Sequence, residues 1–175
     1  MAQPNPLDSA LTNLAGEISL NRSFASLKEA ALLSLLWTYE RLEQTGRAFF
    51  PRFGITEAQF NVLMILDDYR GRTFRQHELA EILVVNRASA GSVLERMERN
   101  GWIARASDPE DRRAMRISMT RAGSAKLEEV RGPYYRLMSR IFRDEDERDL
   151  RNLVLFCDRL RRGLARVESQ EIPKE

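Results

Sequence analysis

Between Ser107 and Gly123 the chain reads SDPEDRRAMRISMTRAG, with three acids and four arginines inside seventeen residues. The planar guanidinium fork of arginine binds phosphate and carboxylate through paired N–H donors, which is recognition chemistry rather than bond-making chemistry. Arginine dominates throughout: the chain holds 25 Arg against 3 Lys, a bias that a GC-rich genome also favours. Bond-making groups are missing from the pattern. It offers no nucleophile beside a base, no paired catalytic carboxylates and no glycine-rich phosphate loop, so no enzyme activity is expected. The single cysteine, Cys157, excludes an internal disulfide framework and a Cys-rich zinc site. The single histidine, His77, fits a surface residue or a phosphate contact better than a metal ligand, and no cofactor is expected.

The alternation around the arginines shows what must position them. Met115, Ile117 and Met119 alternate with Ala114, Arg116 and Ser118, the period of a half-buried strand. Trp102-Ile103-Ala104-Arg105 supplies a first strand, and Asp108-Pro109 with the charges after it has turn chemistry. The quoted stretch is thus the tip and return strand of a hairpin. Upstream, Leu79, Ala80, Ile82 and Leu83 mark one short helix, and Asn86 is a good N-cap for the next. In that second helix Ala90, Val93, Leu94 and Met97 share one face, and Gly101 ends it. Two short helices around a tight turn make a helix-turn-helix.

The outer face of the second helix then carries Arg87, Ala88, Gly91 and Ser92 near its N-terminus, the end that meets base edges in DNA-binding proteins. Small residues there let the backbone approach a groove closely. That accounts for Gly91, which costs roughly 1 kcal/mol relative to Ala inside a helix. Arg87 can bridge guanine O6 and N7 or hold a phosphate. At the hairpin tip an arginine can enter a narrow minor groove. Asp111, two residues before Arg113, either orients that guanidinium or forms a plain surface ion pair. Residues 70–121 hold 11 arginines and 7 acids, net +4 against +2 for the whole chain, so the basic excess sits on this motif.

The other elements are helical. Leu7, Leu11, Leu14 and Ile18 recur at helical spacing ahead of a longer helix from Ser26 to Phe50, which Pro51 stops. Thr56 and Gln59 form a capping box for the next helix. Thr120 caps a further helix, in which Gly132-Pro133 predicts a kink or break. The acids DEDE at 144–147 favour the start of a last helix with an apolar stripe of Leu150, Leu153, Val154, Cys157, Leu160 and Leu164. On that stripe Cys157 reads as packing rather than as a sensor. The N-terminus has no basic flank and no apolar stretch, and AALLSLLW at 30–37 is too short to span a bilayer. A soluble, cytoplasmic protein without a membrane partner is expected.

The segments ELA at 78–80, LERMERNGWIAR at 94–105 and DPEDRRAMRISMTRAG at 108–123 resemble the core signature of the MarR (multiple-antibiotic-resistance regulator) family. The resemblance covers about residues 27–165 in element order and is most specific over 78–123, through Asp111-Arg112-Arg113 and the Thr-x-x-Gly spacing of Thr120 and Gly123. It implies a mainly α fold with a small β-hairpin wing, a winged helix-turn-helix between N- and C-terminal dimerisation helices. It also implies a homodimer on a pseudo-palindromic double-stranded DNA operator, most often a repressor, released by a small aromatic or anionic ligand. The alternative is a winged-helix architectural or protein-interaction factor without specific operator readout.

On this reading residues 1–25 are a partly helical extension, 26–54 a dimerisation helix and 55–121 the DNA-binding lobe. Residues 122–167 are C-terminal dimerisation helices and 168–175 a disordered tail. The DNA-binding residues are Arg75, Asn86, Arg87, Ala88, Ser89, Gly91, Ser92, Arg96, Arg112 and Arg113, with Asp111 orienting the wing. Two departures stand out: members often carry a basic residue where this chain has Ser92, and Arg75 stands where a Ser or Thr usually begins a helix, so that Thr73 is expected to take over the cap. Family ligands bind between dimer helices and DNA-binding lobe. Trp37, Tyr39, Phe50, Phe53, Phe60 and Met64 either line such a pocket or form ordinary core.

Overall fold

The computed structural model describes residues 5–82, 87–108 and 115–171, with only the backbone of residues 87–89 and 170–171. The chain divides into two compact units, residues 1–130 and 131–175. In the first unit α1 (Pro6–Glu17) and α2 (Leu27–Phe49) precede a short 3-10 turn, Phe50–Phe53. Then come α3 (Glu57–Asp68), β1 (Phe74–Arg75), α4 (Gln76–Ile82), α5 (Arg87–Arg99), β2 (Ile103–Ser107) and β3 (Met115–Met119). Helix α6 (Arg121–Ile141) begins in this unit, and α7 (Glu147–Glu171) lies in the second.

Local chemistry sets most boundaries. Ser26 accepts from the Glu29 N–H to start α2, and Thr56 and Gln59 exchange both bonds of a capping box at α3. Asn5 caps α1, with Pro6 at its first position, where a missing N–H costs nothing. Before α2, Arg22 and the Ala25 N–H bind the Glu29 carboxylate, which Arg22 chiefly holds down at about 2. At α7 the Asp146 carboxylate accepts from the Asp149 N–H at 2.8 Å. The helix reaches Glu171, beyond residue 168 where the tail is expected to begin.

The core of the first unit is built from the faces that periodicity marks. Phe60, Leu63, Phe74, Leu79, Leu94, Met97, Ile117 and Leu127 are fully buried. They bring α3, α4, α5, the sheet and the start of α6 around one apolar interior. The sheet is antiparallel with order β1-β3-β2. Ile103 pairs with Met119 and Ser107 with Met115, while Phe74 pairs with Ile117.

Two expectations are corrected. The hairpin's first strand is Ile103–Ser107, displaced from 102–105 because Trp102 still belongs to the turn that ends α5. Of the kink or break expected at Gly132-Pro133, the break is absent: α6 is one helix from Arg121 to Ile141 with Pro133 inside it. A proline removes one hydrogen bond, and the long helical runs on either side of it outweigh that loss.

Candidate nucleic-acid interface

Helices α4 and α5 form the helix-turn-helix. Residues 83–86 between them, with Leu83 of the expected first helix and the expected cap Asn86, lie outside the described residues. On α5, Ala90, Leu94 and Met97 are buried and Val93 is half-buried, while Ser92, Glu95, Arg96 and Arg99 are exposed. Arg87, Ala88 and Ser89 form the first turn of α5, and their side chains lie outside the description. The helix closes on Gly101 at φ 71°, where the Gly101 N–H donates to Glu98 O at 2.8 Å and the Trp102 N–H to Met97 O at 2.9 Å. This paired closure needs the left-handed backbone that glycine adopts freely.

Gly91 is half-buried, and a Cβ there would meet only Gln76 Nε2, at an ordinary 3.5 Å. Gly91→Ala is therefore expected to stabilise the fold by about 0.5–1 kcal/mol. If the α5 backbone enters a groove, the same variant binds DNA more weakly. Urea unfolding beside a DNA titration checks both, and unchanged DNA affinity would remove the close-approach role.

The wing is braced at its base by a buried carboxylate. Asp108, 1% exposed, follows β2 directly. Arg75 of β1 donates from Nε to its Oδ2 at 2.8 Å, with Nη2 at 2.7 Å from the same oxygen. Arg116 of β3 places Nε 3.0 Å from Oδ2 and donates from Nη2 to Oδ1 at 3.4 Å. One acid thus ties both other strands of the sheet to the end of β2. Arg105 extends the bracing towards α5, with Nε 3.1 Å from the Glu98 carboxylate. The tip itself, with Asp111, Arg112 and Arg113, lies outside the described residues.

Among the expected DNA-contact residues, Ser92 and Arg96 stand on the exposed face of α5, and Gly91 lies beside them. Arg75 is placed differently: its guanidinium, 31% exposed, is engaged with Asp108. The cap at α4 comes from Glu78, whose carboxylate accepts from the Arg75 N–H at 2.6 Å and from Arg72 Nη2 at 3.2 Å. The Arg75 N–H and then Arg72 hold the Glu78 carboxyl below the usual carboxylate range. A lowered folded value means this contribution is complete above the ordinary carboxylate pKa and is lost as pH falls through the lowered one. Followed by NMR, the Arg75 amide should titrate below the ordinary carboxylate range; a midpoint at the ordinary value contradicts this.

The six aromatic-pocket candidates separate. Phe50 and Phe60 are 4% and 1% exposed with ring centroids 5.4 Å apart, so they pack as core. Phe53 is half-buried beside Phe49, centroids 5.1 Å apart, and its carbonyl accepts from Lys126 Nζ at 3.1 Å. Met64 is half-buried on α3. Trp37 reaches back to α1, donating from Nε1 to Glu17 at 2.6 Å, and Tyr39 is 60% exposed with its hydroxyl donating to Glu43.

Residues 55–115, from the start of α3 to the return strand of the wing, match the MarR family model. Over this segment the chain is similar to the MarR family. Its relatives include the helix-turn-helix transcriptional repressor YetL of Bacillus subtilis, 27% identical over 120 residues covering 67% of this chain and 72% of that one. An uncharacterised helix-turn-helix transcriptional regulator of Bacillus anthracis is 29% identical over 158 residues, 85% of this chain and all of the relative. Among solved structures, a mutant Escherichia coli MarR complexed with operator DNA superposes with a TM-score of 0.65 at 19% identity, over 78% of this chain and 99% of that one. The likeness shows the same winged helix-turn-helix fold, and the MarR relatives are transcriptional regulators rather than enzymes. No helix among the described residues is long and apolar enough to cross a membrane.

Proposed function

We propose that this protein is a cytoplasmic, homodimeric, sequence-specific DNA-binding regulator of the MarR family, a repressor released from a pseudo-palindromic operator by a small-molecule ligand. The observation that carries the reading is that two devices share one compact unit. Helix α5 exposes Ser92, Arg96 and Arg99 beside Glu95 and Glu98, and the adjacent wing is clamped at its base by Asp108. Such an arrangement holds a recognition helix and a wing arginine at a fixed separation, which reading a major and an adjacent minor groove requires.

In this reading Asn86 caps the recognition helix. Arg87, Ala88, Ser89, Gly91 and Ser92 face base edges, and Arg96 and Arg112 hold phosphates. Arg113, oriented by Asp111, enters the minor groove. Arg75 serves the interface by bracing the wing. The segments 26–54 and 122–167 make the dimer. Support comes from apolar side chains left uncovered in the single chain: Leu27, Leu32 and Leu36 on α2, and Leu153, Val154, Phe156 and Leu164 on α7, are each 45% exposed or more. Uncovered apolar faces of this extent mark an association surface. A two-fold dimer presents its recognition helices to half-sites about one helical turn, roughly 10 base pairs, apart.

The wing role is tested with Arg113→Ala. Affinity should fall most at A·T-rich flanks, and the dependence of log affinity on log salt should flatten by about one unit. Unchanged affinity at both low and high salt would refute it. Arg87→Ala should relax base preference at one position of the half-site.

A further inference from the structure

Helix α7 has a second face that the proposed dimer leaves unused. At about 3.6 residues per turn its apolar stripe, Leu150, Leu153, Cys157, Leu160 and Leu164, gathers on one side. Arg148, Arg151, Leu155, Arg159, Arg162 and Arg166 fall on the opposite side, within an arc of about 80°. Their steps alternate between three and four residues and make a continuous seam, roughly 27 Å long at the helical rise. All six are exposed, Leu155 to 54%, and no acid falls inside the arc.

A helix face that meets only water gains from alternating signs. Opposite charges three or four residues apart attract, and like charges repel, by about 0.2–0.5 kcal/mol a pair. The seam has the costly arrangement: Arg148 and Arg151, Arg159 and Arg162, and Arg162 and Arg166 are like-charged neighbours at that spacing. At its edge Glu147 accepts from Arg151 Nη2 at 2.6 Å, and Asp158 accepts from Arg162. The Arg148, Arg159 and Arg166 side chains make no hydrogen bond or ion pair among the described residues, so a partner can take them without breaking a contact.

We propose that the seam docks an acidic amphipathic helix of a partner protein, with carboxylates on the arginines and an apolar side chain on Leu155. The planar guanidinium fork pairs a carboxylate through two N–H donors. Steps of three and four residues are the spacing at which two helices meet along a seam. Leu155 decides between a polypeptide and a nucleic acid. A phosphate backbone offers nothing apolar to cover it, whereas a helix does, and burying its exposed half adds affinity. This surface goes beyond the DNA reading and needs neither operator nor small ligand.

The test is fluorescence anisotropy of labelled synthetic peptides titrated with the full-length protein, without DNA. The probe is a peptide of three heptads with Glu at the seam positions and one central Leu. One control carries Gln for Glu, and the other the same residues in shuffled order. The Glu peptide should bind saturably and both controls at least about tenfold more weakly, since one lacks the charge and the other the spacing. Arg159→Glu should weaken the Glu peptide at least about tenfold by setting like charges opposite each other. Leu155→Ser should weaken it about fivefold by removing the apolar contact. Arg52→Glu, the same change of charge at an exposed residue of the first unit, should leave binding unchanged. No saturable binding, equal affinity for the shuffled peptide, or full affinity in Arg159→Glu would overturn the proposal. So would a loss in Arg52→Glu as large as in Arg159→Glu, which would mean attraction by net charge alone. If Arg159→Glu weakens a random DNA duplex as much as the peptide, and Leu155→Ser weakens neither, the seam is a nucleic-acid surface and the proposal fails. Because the peptide titration contains no DNA, its failure is distinct from a failure of operator binding.

Discussion

Gly123→Ala should destabilise the first unit by about 3 kcal/mol or more, the upper end of overpacking costs. Gly123 sits where the first turn of α6 rests on the backbone of the α5–β2 turn. The Thr120 N–H donates to Trp102 O at 3.0 Å, and the Thr120 hydroxyl donates to Gly101 O at 2.6 Å. The same hydroxyl accepts from the Gly123 N–H at 3.0 Å. A Cβ on Gly123 would lie 2.1 Å from Trp102 O and 3.0 Å from Met119 Cγ. Met119 can turn aside. The Trp102 carbonyl cannot, because its residue is held through Met97 on one side and the Ile103–Met119 pair on the other. Relief therefore requires α6 to lift and the Thr120 bonds to break. In urea unfolding the midpoint should fall far below wild type, a loss of more than about a hundredfold in the folded-to-unfolded ratio. Gly91→Ala, with its free space, is the matched control. A wild-type midpoint in Gly123→Ala would contradict the close approach.

Asp108→Asn should cost about 2–3 kcal/mol and weaken DNA binding beyond what the lost stability explains. Breaking one partner of a fully buried ion pair costs about 3–5 kcal/mol. Here the two guanidinium groups are 30% and 31% exposed, so water compensates part of the loss. Asparagine keeps the shape and one acceptor oxygen, but it loses the negative charge and turns its N–H₂ towards a guanidinium group that the second carboxylate oxygen had faced. The wing base should then loosen while the α5 core, built on Leu94 and Met97, stays packed. The expected signature is weaker DNA binding at a temperature where the fold is intact. A double-mutant cycle of Asp108→Asn with Arg116→Ala should give strong coupling, and additivity would show that the brace carries no energy.

Much of this architecture was legible because its signals are local. The inner face of α5, the Thr56–Gln59 capping box, the Gly101 closure and the Thr120 cap are each written within a few residues of where they act. The hairpin was readable from the alternation of Met115, Ile117 and Met119. What escaped depends on partners distant in sequence. Strand β1 is two residues long, too short to alternate, and exists because β3 offers a ladder forty residues later. Asp108 reads as a turn acid until the fold brings Arg75, 33 residues away, onto its carboxylate. The same contact gives Arg75, expected as a DNA ligand, a bracing ion pair that no local signal announces. The glycine of the Thr-x-x-Gly signature was visible, but its reason, the carbonyl of Trp102, was not.

The central claim is that α5 and the wing together read a two-fold DNA site. Selection of random duplexes by the purified full-length protein, followed by sequencing, tests it most directly. The expected result is a pseudo-palindrome with half-sites about 10 base pairs apart and A·T-rich flanks where the wings fall. Recovery of no common sequence, with binding that depends only on length and salt, would contradict it.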